Sequence, residues 1–248
     1  MDLNADLAER TDEEGWAADA RLLEVVTTAN VACGGHAGDE ETMRRACAAA
    51  AELGVRVGAH PGYADPAGFG RTELGLPAGE VVEQVAGQIG KLEDVARSEG
   101  ARVTHVKPHG ALYHRAAADR ELAAALAALL ASTDRSLVVL TQPASALAEE
   151  AASLGLGTVA EGFADRAYTS EGLLVPRSEP GSVLDADAAI AQALMLAAEG
   201  RLVSADGREI ASPADSICVH GDTPGAIALA GAIREALARE GVEVKAFA

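Results

Sequence analysis

His105-Val106-Lys107-Pro108-His109-Gly110 closes a short β-like run, Val103 to Lys107, and hands the chain on through a proline and a glycine. A helical stretch rich in Ala and Leu follows near 119–131. The same unit recurs on either side of it. Further runs cover Asp2 to Asp6, Val26 to Cys33, Val55 to His60, Leu137 to Thr141, Thr158 to Phe163 and Ser216 to His220. Helix-like segments stand near 39–53, 80–99, 144–154, 184–199 and 223–240. In the second of these, Val81, Val85, Ile89, Leu92 and Val95 recur at steps of three and four, the spacing of one helix face. Strand–helix alternation predicts parallel strands joined by right-handed crossovers. Runs with little hydrophobic alternation read as strands covered on both faces, which favours a closed barrel over an open doubly wound sheet. No low-complexity linker or charge block interrupts the chain, so residues 1–248 read as a single α/β domain, a seven-stranded β/α barrel.

Two segments depart from the repeat. Leu202 to Ala205 and Arg208 to Ile210 flank Asp206-Gly207, a signal for a type I′ hairpin inserted before the last strand. Arg166 to Gly181 is long, irregular and bears Gly and Pro, the character of a substrate loop or lid.

Composition excludes several functions. Lys plus Arg number 20 against 38 Asp plus Glu, a formal charge of −18, which repels nucleic-acid phosphates and anionic lipid alike. The longest apolar stretches, Leu122 to Ala131 and Ala188 to Ala198, fall short of the ~20 residues of a membrane span. Met1 to Asp6 has neither the basic nor the apolar region of a signal peptide. Cys33, Cys47 and Cys218 are odd in number and form no Cys-x-x-Cys pair, which fits a reducing cytoplasm. Gly90-Lys91 lacks the rest of a phosphate loop, because Val85 and Leu92 occupy its first Gly and its Ser/Thr positions. Cys33 to Asp39 lacks dinucleotide-fingerprint spacing, so a participating nucleotide is expected on another chain.

The chemistry gathers at the ends of the runs. Asn4 and Asp6 belong to the first run, Asn30 and His36 to the second and its exit, and His60 to the third. Lys107 and His109 close the fourth, Glu161, Asp165 and Arg166 the sixth, and His220 and Asp222 the seventh. In a parallel barrel the C-terminal strand ends share one face, where such folds place their active sites. Five of the six histidines fall there. His105 is expected to pack, His114 to lie on the surface, and Cys33 and Cys218 to act as small buried hydrophobes. Asn4 suits either a bond to strand backbone or a place in the site.

Several long motifs stand in one order. They are Asp2-Leu3-Asn4-Ala5-Asp6, Ala29-Asn30-Val31-Ala32-Cys33-Gly34-Gly35-His36-Ala37-Gly38-Asp39, Gly58-Ala59-His60-Pro61-Gly62-Tyr63 and Gly68-Phe69-Gly70-Arg71. Val106-Lys107-Pro108-His109-Gly110-Ala111-Leu112-Tyr113, Glu161-Gly162-Phe163-Ala164-Asp165-Arg166-Ala167-Tyr168 and Cys218-Val219-His220-Gly221-Asp222 complete the set. Together they resemble the LamB/YcsF family, described as the A-subunit of the bacterial ATP-dependent 5-oxoprolinase. The resemblance implies a TIM-like barrel of the glycoside hydrolase/deacetylase type. It also implies cleavage of 5-oxo-L-proline to L-glutamate coupled to ATP hydrolysis, with ATP as co-substrate bound mainly by partner subunits B and C. Ala8 stands where the family usually has Gly in its Asp-x-Gly-Glu start, and Gly35 where it usually has Phe.

Lactam opening needs a base for water, an acid for the departing nitrogen and cations for developing negative charge. Asp6, His60 and His109 are the acid/base candidates, with His220 and Asp222 as a supporting pair. Lys107, Arg166 and Arg71 are the anion binders, and Asn4, Asn30, His36, Glu161 and Asp165 complete the expected substrate site. Superfamily relatives hold a divalent ion with Asp and His from early strands, and Asp6, His36 and His60 would supply that set here. The alternatives are a stand-alone metal-dependent deacetylase or amidohydrolase and a noncatalytic subunit that presents the lactam to its partners.

Overall fold

Seven parallel strands close into a barrel in the computed structural model, which describes residues 1–219 and 225–247. The first half of the chain runs β1 (Asp2–Leu7), α1 (Glu13–Leu23), β2 (Thr28–Ala32), α2 (Glu40–Leu53), β3 (Arg56–His60), α3 (Ala78–Ser98), β4 (Val103–Val106), α4 (Gly110–Ala118) and α5 (Arg120–Thr133). The second half runs β5 (Val138–Thr141), α6 (Ala146–Ser153), β6 (Gly157–Phe163), α7 (Ala186–Glu199), β7 (Arg201–Val203), β8 (Glu209–Ala211), β9 (Ser216–Val219) and α8 (Ala226–Arg239). The barrel order is β1-β2-β3-β4-β5-β6-β9, and β7 and β8 form a separate two-stranded sheet. The α/β barrel and its seven strands are therefore as the sequence predicts.

The strands are less uniform than that reading supposed. β1 alternates, with Leu3, Ala5 and Leu7 in the apolar layer shared with the helices and Asp2, Asn4 and Asp6 buried elsewhere. Asn4 Nδ2 donates to Ser216 Oγ at 2.7 Å, and Asn30 Nδ2 donates to both Asn4 Oδ1 and Asp6 Oδ1 at 2.8 Å. These bonds between β1, β2 and β9 fill the barrel interior with polar side chains. Below them, Thr28 and Ser216 hydroxyls donate to Asp2. His105 Nε2 donates to Asn30 Oδ1 at 2.9 Å, so His105 packs as expected, in the interior and below the catalytic face. Gly58 on β3 makes room for it, because a Cβ there would overlap the His105 ring. The Phe247 ring meets His105 edge-on at 5.2 Å, next to a tail tied to β1 by Lys245 N–H donating to Met1 O at 3.0 Å.

Local signals set the helix starts. Asp39 and Thr42 form a capping box at α2, and Asp119, Ser145 and Asp185 side chains cap α5, α6 and α7. Two helices were absent from the sequence reading. In α1 the acidic, Ala-rich stretch after Asp12 leaves a thin apolar face, completed by Leu22 and Leu23. Helix α4 is short and begins on the motif His109-Gly110, whose polar content reads as loop. The hairpin is also different in kind. Ser204 N–H donates to Arg208 O and Gly207 N–H to Ser204 O, both at 2.8 Å, with Gly207 alone of the Asp206-Gly207 pair at positive φ (83°). That is a three-residue loop with a bulge at Gly207, not the two-residue type I′ turn.

Candidate active site

At the C-terminal ends of the strands a cavity of about 980 Å³ opens. Asp6, His60, Lys107 and Glu161 lie in its floor, with Glu9, Arg71, His109, Tyr113, Phe163 and Arg166 around them. The loop between β6 and α7 supplies the far wall through residues 171–178. Gln192 Nε2 holds that loop by donating to Phe163 O and Arg166 O, at 2.7 and 2.8 Å.

Lys107, 2% exposed, is the centre of the floor. Its Nζ donates to Asp6 Oδ1 at 2.8 Å and Cys218 Sγ at 3.2 Å, and lies 2.8 Å from Glu161 Oε1. Burial opposes the ammonium charge, but Asp6 and Glu161 override it and hold Lys107 well above the usual lysine range. Burial keeps Cys218 a neutral thiol by raising its pKa well above the ordinary value. The Tyr113 phenol, also in the wall, is pushed up by burial and by nearby Glu161.

Beside this group stand three imidazoles and one carboxylate. His60 Nδ1 donates to Lys107 O at 2.7 Å and His109 Nε2 to Phe69 O at 2.9 Å. Those two carbonyls fix the tautomers, so His60 Nε2 and His109 Nδ1 present lone pairs to each other across 3.0 Å. Glu9 Oε1 lies 3.5 Å from His109 Nδ1 and 3.3 Å from His36 Nε2. The His36 ring stacks on His109 at 3.6 Å, and its Nδ1 is buried without a hydrogen-bond partner. Burial lowers the pKa of His36 and of His109, the latter further through His60, which keeps both neutral.

Glu9, His36, His60 and His109 could together hold a metal ion, their donor atoms all lying within 4.8 Å of one another. The donors fit one chemically. Facing lone pairs have no proton to share, and spacings of 3.0–3.5 Å approach the ~3.3 Å between ligands in a tetrahedral zinc shell. The set expected from sequence was Asp6, His36 and His60. Asp6 Oδ2 does lie 3.3 Å from His60 Nε2, but its Oδ1 is committed to Lys107 and Asn30, and Glu9 and His109 complete the cluster instead.

The remaining expectations divide by position. Arg71 lines the cavity, its guanidinium 4.7 Å above the Phe69 ring. Arg166 also lines it, but Nε and Nη2 donate to Ser182 O and Val175 O, so much of its guanidinium braces the loop. Asn4 and Asn30 sit beneath the floor, joined to neighbouring side chains and not to strand backbone. Asp165 is fully buried outside the cavity lining, and its carbonyl accepts from Leu184 N–H at 3.0 Å. His220 and Asp222 lie outside the described residues. His114 is exposed, as expected, on the cavity rim. Glu9 was missed, although it is the first acidic residue beyond β1 and thus at a strand end like the others. Gly35 presses against the Gln88 amide, which bridges both the N–H and the carbonyl of Gly62. A side chain at Gly35 would displace that bridge.

A closed parallel barrel with carboxylates, imidazoles and a buried lysine at its C-terminal mouth defines a seven-stranded β/α-barrel protein with a polar site on that face. The chain belongs to the LamB/YcsF family, whose pattern it matches over residues 1–248. The 5-oxoprolinase A-subunit of Nocardia farcinica is 51% identical over 247 residues, covering 100% of this chain and 99% of that protein. A lactam utilization protein from Thermus thermophilus superposes with a TM-score of 0.91 at 43% identity, covering 100% of this chain and 99% of that one. A family 4 carbohydrate esterase from Streptomyces lividans, covering 100% of this chain and 92% of its own, shares only the fold, at 12% identity and a TM-score of 0.50.

Proposed function

We propose that this chain is the barrel subunit of a cytoplasmic ATP-dependent 5-oxoprolinase, which opens 5-oxo-L-proline to L-glutamate together with partner subunits B and C. The carrying observation is the floor of the cavity, where the buried Lys107 ammonium stands between Asp6 and Glu161 and beside the facing imidazoles of His60 and His109.

A lactam is a stabilised amide, and its carbonyl must be activated before water can add. ATP supplies that activation by phosphorylating the carbonyl oxygen, on a partner subunit, since this sequence has no phosphate loop. In the barrel, His60 or Asp6 takes the proton of the attacking water, and Lys107 faces the negative charge that develops on oxygen. That proton passes through His60 across the 3.0 Å contact to His109 Nδ1, which delivers it to the ring nitrogen as the C–N bond breaks. The nitrogen becomes the amino group of glutamate, and a second water hydrolyses the acyl phosphate left at the carbon, releasing phosphate. Arg71 at the cavity wall suits the carboxylate of the substrate. Glu9, His36, His60 and His109 could instead hold a divalent ion, which would supply Lewis acidity in place of that relay and leave Asp6 as the base.

The test is glutamate release from 5-oxoproline in an extract that lacks this chain but contains active partner subunits. Release that requires both the purified protein and ATP is the expected result. Absence of rescue, with hydrolysis of an acetylated sugar in the absence of ATP, would move the assignment to a stand-alone deacetylase. Full turnover with Asp6→Asn and His109→Ala would leave the barrel a noncatalytic presenter of the lactam.

A further inference from the structure

Between β1 and Glu9, Ala8 adopts a left-handed backbone with φ of 59°. For a residue with a Cβ that conformation costs about 1–2 kcal/mol, so the surroundings must hold it. Two contacts do. Ala8 N–H donates to Asp19 Oδ2 on α1 at 2.8 Å. On the opposite side Gly38 lies so close that a Cβ there would come within 2.6 Å of the Ala8 carbonyl oxygen. The next residue is Glu9, whose carboxylate reaches His36 and His109. Relaxation of Ala8 to an ordinary conformation would turn the following peptide and carry Glu9 away from the histidines.

We propose that Asp19 is a positioning residue, clamping the Ala8 amide in its left-handed turn and so seating the Glu9 carboxylate against His36 and His109. The inference rests on the reading of the histidine cluster as part of the active centre. It also accounts for a half-buried carboxyl group on α1 turned toward the end of β1. Burial pushes Asp19 up to about 7, against the pull of the Ala8 hydrogen bond. Without that bond the carboxyl would have no evident reason to be there.

Turnover and thermal unfolding of the full complex are measured for Asp19→Ala, Asp19→Asn, Ala8→Gly and the Asp19→Ala/Ala8→Gly double variant, with a crystal structure of Asp19→Ala. Asp19→Ala is expected to lower kcat about tenfold with KM within about twofold, the scale of a misplaced active-site group. Asp19→Asn keeps an acceptor oxygen and retains most of the rate. Glycine enters the left-handed turn unaided, so Ala8→Gly restores kcat to the Asp19→Ala chain and by itself leaves the rate unchanged. If Asp19→Ala folds only when Ala8→Gly accompanies it, stability reports the same rescue; a double variant that also fails to fold overturns the clamp. Glu9 still bonded to His36 in the Asp19→Ala crystal structure, or a loss of kcat that Ala8→Gly does not recover, likewise overturns it. Glu9 displaced with turnover intact keeps the clamp and instead removes Glu9 from the active centre.

Discussion

His60 Nε2 and His109 Nδ1 face each other at 3.0 Å, and each ring is locked by a backbone carbonyl on its far nitrogen. Neither nitrogen of the facing pair carries a proton in that arrangement, so the contact calls for a cation between or beside them. Protein purified without chelator and dialysed against Zn²⁺ is expected to bind about one ion per chain. His109→Ala and Glu9→Gln should weaken that affinity by about tenfold or more, at least the loss seen for outer-shell changes. Elemental analysis at equal free Zn²⁺ checks this; unchanged occupancy in both variants would exclude the cluster as the site.

Lys107 neutralises two buried carboxylates at once. Lys107→Met leaves the buried carboxylates Asp6 and Glu161 unpaired in the cavity floor, a change that costs about 3–5 kcal/mol for a broken buried pair. Adding Glu161→Gln should return part of the loss by removing one of the charges. Urea unfolding of the three chains measures both effects, and strict additivity would mean that the lysine and Glu161 are not coupled.

His105 gives the protein an acid-sensitive core. Burial, with the charge of Lys107 nearby, pushes its pKa down from 6.5 to about 3. The unfolded chain therefore takes up a proton that the folded chain refuses. Stability from this group is complete above about 6.5 and falls as pH drops toward 3, by up to about 1.4 kcal/mol per unit. His105→Gln should flatten the slope between pH 6 and 4 in unfolding measurements. Parallel slopes for the two proteins would locate the acid sensitivity elsewhere.

Gly58 and His105 share one space across β3 and β4. Gly58→Ala should cost about 1–3 kcal/mol through overpacking. The cost should shrink in a His105→Ala background, with a coupling of more than about 0.5 kcal/mol in the double-mutant cycle. Independent, additive effects would show that the ring moves aside freely.

The repeat of strand, polar turn and helix was legible because each unit carries local signals. The spacing of Val81 through Val95 depends only on neighbours in the chain. The convergence of Asp6, His60, Lys107, His109 and Glu161 was legible too, since a parallel barrel brings strand ends to one face whatever the sequence between them. Helix α4 and the hairpin loop were misread where polar motif residues or an Asp-Gly pair allow more than one backbone path.

The sequence by itself determined the barrel, its strand count and the face that carries the chemistry, because periodicity and turn residues act over short range. Only the tertiary structure decided which groups meet. Asp6 could have joined the histidines, but Lys107 and Asn30, from other strands, claim its Oδ1 and leave Glu9 to complete the cluster. Those partners lie 101 and 24 residues away in the chain, and their competition is settled by register across a closed barrel.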